Sequence, residues 1–311
     1  RPAATRIDTH QAWRAPHADE SERAWTLGGI LYAATQRSAR AERALDAVGF
    51  KLYLTTTLNK GHIHGCDRSE SLILPVAARD EEPQSTTQES MFSYVRFSDG
   101  GLCRLDNVRS EVSILADLAQ RVVDPDSFDF GVFENHQSIR EAIADTVPGM
   151  AELADIGISK REFHVRGRLI HQPEFKTADK KASFVTHPMP QVNSQSSDYP
   201  YLLATIRSEG QFNSIIYEET DSYRADARRD AVLLSPHDIQ AMGLQAGERV
   251  NLVSSKGRLD QLVVTPFELS PGSILAYYPE ANVLTGQSLD PRSHTPNFKS
   301  VPVRVERALE R

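Results

Sequence analysis

Between two apolar runs, residues 204–214 read ATIRSEGQFNS. Thr205, Arg207, Ser208, Gln211, Asn213 and Ser214 offer hydroxyl, guanidinium and amide groups within eleven residues, and Phe212 adds an aromatic face. A guanidinium matches a diphosphate, because its fork of N–H donors fits phosphate oxygens. Gln211 and Asn213 each carry donor and acceptor, which suits the edge of a purine or a pterin. Gly210 would let a ligand approach the backbone closely. The residues by themselves leave two readings level: a polar loop leaving a strand, or a ligand rim.

A second polar island, YYPEANVLTGQSLDPRSHTPNFKS, covers 277–300. Loops of that length inside a compact domain are usually functional. Asn282 stands just past a strand end, and Phe298-Lys299 stand just before the last strand. If the strands close into a barrel, these ends meet at one face. A third polar stretch holds Thr86, Thr87, Gln88, Glu89 and Ser90 beyond the strand ending at Pro75, in the place where open α/β sheets bind ligands. A solvated loop is the plainer reading there. His62, His64 and Cys66 alternate, and on an extended segment they would share one face. Thiolate and imidazole suit zinc or copper, but two glycines interrupt the run, and a turn with polar histidines is favoured. No phosphate loop, nucleophile elbow or dinucleotide glycine fingerprint occurs.

The elements that must position these residues fall into two kinds. Residues 29–33 read as a short buried strand and 37–48 as a helix with Ala41, Ala44, Leu45 and Val48 inward. Gly49 is placed to end that helix in a left-handed conformation, and 51–57 form a β-branched strand. Strand, helix, strand at this length is a parallel βαβ unit. ESLILP, 70–75, is a further strand. Ser110 caps a helix over 111–122 with Val112, Leu115, Leu118, Ala119 and Val122 as its stripe. From 124 to 199 the pattern weakens to one helix, 138–146, and a Pro-, Ser- and Lys-rich surface connection over 173–200.

After 200 the pattern becomes all-β. YLLATI and AVLLS are strands. Ser235, Pro236 and Gly243 mark the start and end of a short helix. KGR turns a hairpin between ERVNLVSS and LDQLVVTPF; GSILAYYP and VPVRVE follow. Six short strands with one small helix predict a closed barrel.

The chain has 311 residues and a formal net charge of −7, so no overall field favours nucleic acid or an anionic membrane. No apolar run is long enough to span a bilayer. Two cysteines, Cys66 and Cys103, make no disulfide framework or cluster ligand set and fit a reducing, cytoplasmic compartment. The polar start, from Arg1, reads as the edge of a piece cut from a longer chain.

These motifs stand in a familiar order. GGILYAAT, TTTLNKGHIHG, SLILPVAARDE, TTQESMFSYVRFSDGG, FKTADKKASF, LATIRSEGQFNSIIYE, VLLSPHDIQAMGLQAGERVNLVSSKG and YYPEANVLTGQSLDPRSHTPNFKSVPVRV resemble the carboxyl-terminal part of molybdopterin-dependent oxidoreductases. The superfamily is that of formate dehydrogenase and dimethyl-sulfoxide reductase, and the nearest branch is the formate dehydrogenase-like alpha subunits.

The resemblance implies an α/β plus all-β chain. Residues 1–123 would be part of a Rossmann-like parallel α/β domain, 124–195 a connecting segment, and 196–311 a six-stranded aspartate-decarboxylase-like (double-psi) β-barrel. It implies a bis-molybdopterin guanine dinucleotide cofactor with molybdenum or tungsten, two-electron chemistry on a small-molecule substrate such as formate, and docking to an amino-terminal half and an electron-transfer subunit. Any iron–sulfur cluster and the metal ligand would lie in that amino-terminal half, so the chain alone would be inactive and holds no catalytic residue. Carried over by position, the cofactor contacts are Thr205, Arg207, Ser208, Gln211, Phe212, Asn213, Ser214, Asn282, Phe298 and Lys299, with Thr87 and Glu89 as a looser match. Gln211 and Phe298 depart from the His and Tyr common in formate dehydrogenases. The rival reading is a separate or degenerate binding module without redox activity.

Overall fold

A computed structural model describes residues 22–28, 32, 35, 38–64, 69–101, 103–168, 173–189, 196–209, 228–286 and 288–309. Within it the chain divides into two compact units.

The first unit holds most of a three-stranded sheet and the whole barrel. The sheet has the order β1 (Arg23–Leu27), β2 (Phe50–Thr55), β3 (Glu70–Pro75). Glu70 N–H donates to the Gly49 carbonyl near one end, and Val76 N–H to the Thr55 carbonyl at the other. β2 and β3 therefore run in the same direction. Helix α1 (Ser38–Asp46) links β1 to β2, and Ala41, Ala44, Leu45 and the following Val48 are buried as their spacing requires. Lys51 of β2 is also buried. Its ammonium donates to the Leu45 carbonyl, 3.1 Å away in the last turn of α1, where the helix dipole favours a cation.

Two expectations fail here. The first strand is Arg23–Leu27, with Ala24 and Thr26 on its less exposed side, and Tyr32 is helical; the rest of 29–33 lies outside the described residues. Gly49 is not left-handed, because the chain passes straight into β2 and Phe50 N–H donates to the Glu22 carbonyl.

The barrel closes in the order β10 (Arg258–Pro266), β8 (Ala231–Leu234), β11 (Ser273–Tyr277), β7 (Tyr201–Ile206), β12 (Val301–Arg307), β9 (Arg249–Ser254). β8–β10 and β7–β11 are parallel, and the other neighbours antiparallel. Leu203, Val232, Leu234, Val250, Leu252, Ile274 and Val303 are almost wholly buried and form its core. Each such side chain contributes about 1.5–3 kcal/mol by leaving water. The short helix α5 (Pro236–Ala241) starts as expected, with the Ser235 hydroxyl accepting from Asp238 N–H, and Gly243 is left-handed at φ +64°.

The second unit is built on an antiparallel sheet of β4 (Thr86–Glu89), β5 (Tyr94–Ser98) and β6 (Phe163–His164). Its helices are α2 (Glu111–Val122), α3 (His136–Thr146) and α4 (Ile156–Ser159). Ser110 caps α2 as expected, but Ile114 and Ala116 are its buried residues and Val122 is exposed. Residues 86–89, expected as loop, form β4. Residues 124–168 do more than connect: Met150, Leu153, Ile156, Phe163 and Val165 share a core with Val95 of β5. Residues 173–189 form no helix or strand, turn at 177–181, where Lys180 N–H donates to the Thr177 carbonyl, and are almost entirely exposed. Among the described residues, no helix is long and apolar enough to cross a membrane.

Candidate cofactor site at one end of the barrel

Strand register decides which polar residues can meet. β7 and β11 are parallel neighbours with Ile206 opposite Tyr277, so both leave the barrel at the same end. β12 is antiparallel to β7 with Val301 opposite Leu203, which brings the residues before Val301 to that end too. β8 is antiparallel to β11 with Val232 opposite Ala276, so the residues before β8 arrive there as well. Four chain segments thus converge: 205–209, 228–230, 277–285 and 298–299.

The contacts follow from that convergence. Thr205 N–H donates to the Phe298 carbonyl at 3.0 Å, and Tyr278 N–H to the Ile206 carbonyl at 2.7 Å. Lys299 turns back over the strand end and donates through Nζ to the Thr205 carbonyl. The Arg207 guanidinium lies over the Tyr278 ring, 5.2 Å from its centroid. Tyr278 meets Phe298 edge-on, with centroids 6.3 Å apart at 87°. Ser208 receives a bond from Arg229 at 3.1 Å. Asn282 is buried in the 3-10 turn Glu280–Leu284, held by its N–H to the Pro279 carbonyl and by its carbonyl, which accepts from the Thr285 hydroxyl.

The electrostatics favour an anion. Burial pushes the Lys299 ammonium below the usual lysine value, and the nearby Arg207 charge pushes it the same way. Two cations held close and partly out of water repel each other, and a bound anion would relieve both. Burial raises the Tyr278 phenol, opposed by Arg207, so Tyr278 stays neutral and can donate.

Of the residues expected to touch a cofactor, Thr205, Arg207, Ser208, Phe298 and Lys299 come together, with Asn282 on the turn that follows Tyr278. Gln211, Phe212, Asn213 and Ser214 lie outside the described residues. Thr87 and Glu89 belong to β4 in the second unit, where Arg168 pairs with Glu89 at 3.5 Å. Tyr278, Arg229 and Glu280 were missed by sequence reading; a doubled tyrosine leaving a strand into Pro-Glu was the available signal.

The histidine stretch has no extended face. Residues 60–62 form a 3-10 turn in which the His62 Nδ1 accepts from Asn59 N–H at 3.1 Å, and burial lowers the imidazole. Cys66 is outside the described residues, and among those described no three His, Cys, Asp or Glu side chains are grouped to hold a metal.

Comparison with known proteins falls on the same barrel. Residues 201–302 match the family of the molydopterin dinucleotide binding domain. That match begins at the first residue of β7 and ends within β12, so it takes in every described barrel residue of the site. The chain is 33% identical over 332 residues to an uncharacterized oxidoreductase of Mycobacterium tuberculosis (strain ATCC 25618 / H37Rv), covering 98% of this chain and 41% of that protein. It is 29% identical over 298 residues to the protein YdeP of Escherichia coli (strain K12), covering 90% and 39%. The chain spans about two fifths of the length of these curated relatives. Acetylene hydratase from Pelobacter acetylenicus shares its fold, with a TM-score of 0.66 at 14% identity over 97% of this chain and 47% of that one. The domain-family match and the oxidoreductase-named relative both extend over the barrel that carries the site.

Proposed function

We propose that the chain is the carboxyl-terminal part of a molybdenum or tungsten oxidoreductase resembling formate dehydrogenase, acting in the cytoplasm. Its barrel, residues 196–311, binds the guanine nucleotide and pterin of a bis-molybdopterin guanine dinucleotide. In this reading 1–123 include part of a Rossmann-like domain, and the barrel is of the double-psi type. An amino-terminal half supplies the metal ligand and any iron–sulfur cluster, and an electron-transfer subunit accepts the electrons.

One observation carries the reading. The dinucleotide-binding family covers 201–302, and within that span one barrel end gathers Arg207, Lys299, Thr205 and the buried Asn282. The donor set fits the group. Arg207 and Lys299 would face diphosphate, while Asn282 and the 211–214 amides and hydroxyl would face pterin or guanine edges. When bound, the cofactor supplies two-electron redox chemistry; the chain supplies orientation and charge. Formate oxidation to carbon dioxide, releasing two electrons and a proton, is the reaction proposed for the whole enzyme.

The test is chemical analysis of the full-length protein. Molybdenum or tungsten, a fluorescent pterin after oxidation and GMP after pyrophosphate cleavage are expected together, with formate-dependent reduction of a dye. A homogeneous, folded preparation lacking both metal and pterin would refute the cofactor reading. Metal and pterin without turnover on formate would refute only the substrate.

A further inference from the structure

We infer that Arg229 is a positioning residue for the barrel-end site, a clamp that fixes the exits of β7 and β11 and so holds Arg207 in place over Tyr278. The inference rests on the cofactor reading for what the site binds, but not for the clamp itself.

Arg229 stands two residues before β8, and its guanidinium uses its whole fork. Nε donates to Glu280 Oε1 at 3.1 Å and Nη2 to Glu280 Oε2 at 2.6 Å, a bidentate pair. Nη1 donates to the Ser208 hydroxyl at 3.1 Å, and Nη2 also reaches the Tyr278 carbonyl. The plane lies 5.0 Å from the centroid of the Tyr277 ring. The two partners keep 18% and 30% of side-chain exposure, so the pair is shielded far more than a surface ion pair. No other residue type can do this. A lysine has one nitrogen and cannot bridge a carboxylate, a hydroxyl and a carbonyl along one plane.

What the clamp holds is specific. Ser208 follows Arg207 directly, and Tyr278 supplies the ring beneath the Arg207 guanidinium. Glu280 opens the turn that carries Asn282. One side chain, 49 to 51 residues from Tyr278 and Glu280, therefore ties together the two segments that present the cation and the amide. The strands on either side have their own ladders and a core of Leu203, Val232 and Ile274, to which Arg229 does not belong.

Lys299 provides the readout, because its ionisation responds to where the Arg207 charge sits. Among the described residues, the charged and titratable groups carried to this end by the converging segments are Arg207, Glu209, Arg228, Arg229, Asp230, Glu280 and Tyr278. The experiment uses this chain, with the pH profile of Lys299 acetylation followed by mass spectrometry and guanosine diphosphate (GDP) titrated by NMR. Arg229→Met is expected to move the acetylation profile to higher pH, in the same direction as Arg207→Met. GDP affinity is expected to fall by about tenfold or more, the loss expected when a charge-assisted donor is displaced. Arg229→Lys is expected to fail to restore either. Should Arg229→Met not fold, Glu280→Gln loosens the same clamp and is expected to shift the profile likewise. An unchanged profile in folded Arg229 and Glu280 variants, beside a shifted one in Arg207→Met, overturns the inference. Wild type that binds no GDP but shows the profile shift leaves the clamp standing and counts against the cofactor reading.

Discussion

The guanidinium of Arg207 sits 5.2 Å above the ring of Tyr278, although the two residues are separated in sequence by most of the barrel. Only the parallel pairing of β7 with β11 puts their strand ends side by side. A cation over an aromatic face is held without neutralising its charge, so Arg207 can still meet an anion.

Replacing Arg207 with Met should weaken binding of GDP by about 1.5–3 kcal/mol, the worth of a hydrogen bond to a charged group. It should also raise the Lys299 ionisation toward the ordinary lysine value, since a like charge leaves. Isothermal titration and the acetylation profile of Lys299 check both. Unchanged affinity would remove Arg207 from the proposed contacts.

The depressed Lys299 amine sets the sign of a pH effect. Its folded value lies below the ordinary 10.5. Between those two values the unfolded chain binds more protons, so this group makes stability rise with pH across that window; below it, the cost of the buried charge is present in full. Binding of an anion should run the opposite way and weaken as pH rises through the folded value, because the cation is lost. Lys299→Met should flatten the pH dependence of pyrophosphate affinity. A slope that persists in the variant would assign the titration elsewhere.

Much of the barrel was legible because its strands alternate or run apolar between clear turn residues. YLLATI is β7, and the KGR turn is the β9–β10 hairpin. The site was legible only in part. Arg207 and Lys299 announce themselves as charged residues at strand ends, with Phe298 beside Lys299, but the Arg229–Glu280 pair spans 51 residues and exists only once the barrel closes. β4, TTQE, has no apolar alternation; its pairing with β5, Thr87 opposite Phe97, makes it a strand. Residues 151–165 fold in pieces of two to four residues, too short for any period to show.

Glu111 gives a prediction in the second unit. Burial raises its carboxyl above the usual value, and the Glu82 carboxylate adds to the rise. A raised acid favours folding while protonated, below its unfolded pKa, and that benefit disappears as pH rises through the folded value. At neutral pH the ionised Glu111 is therefore a cost, partly offset by its place in the first turn of α2, where the dipole favours an anion. Glu111→Gln should raise the melting temperature at pH 7 to 8 and leave it unchanged, within error, near pH 3, where both forms are neutral, as read by differential scanning calorimetry on matched buffers. A lower melting temperature at neutral pH would mean that the dipole outweighs burial.

Gly257 links the hairpin to the site. A Cβ built there would stand 2.1 Å from the Val283 carbonyl oxygen, deep inside van der Waals contact. That carbonyl belongs to the turn Glu280–Leu284, so the turn must move if any side chain is added. The same turn is tied to the hairpin by the Ser254 hydroxyl, which donates to the Leu284 carbonyl at 2.8 Å. Gly257→Ala should therefore cost about 1–3 kcal/mol as an overpacking change, while the barrel core, remote from the clash, keeps its packing. Its distinguishing effect lies on Asn282, which rides on the displaced turn: GDP or pterin affinity should fall more than for Ser254→Ala, which only loosens the tie. Urea titration separates the stability loss from the affinity loss. Equal affinity in Gly257→Ala and wild type, with stability reduced, would show that the 280–284 turn takes no part in binding.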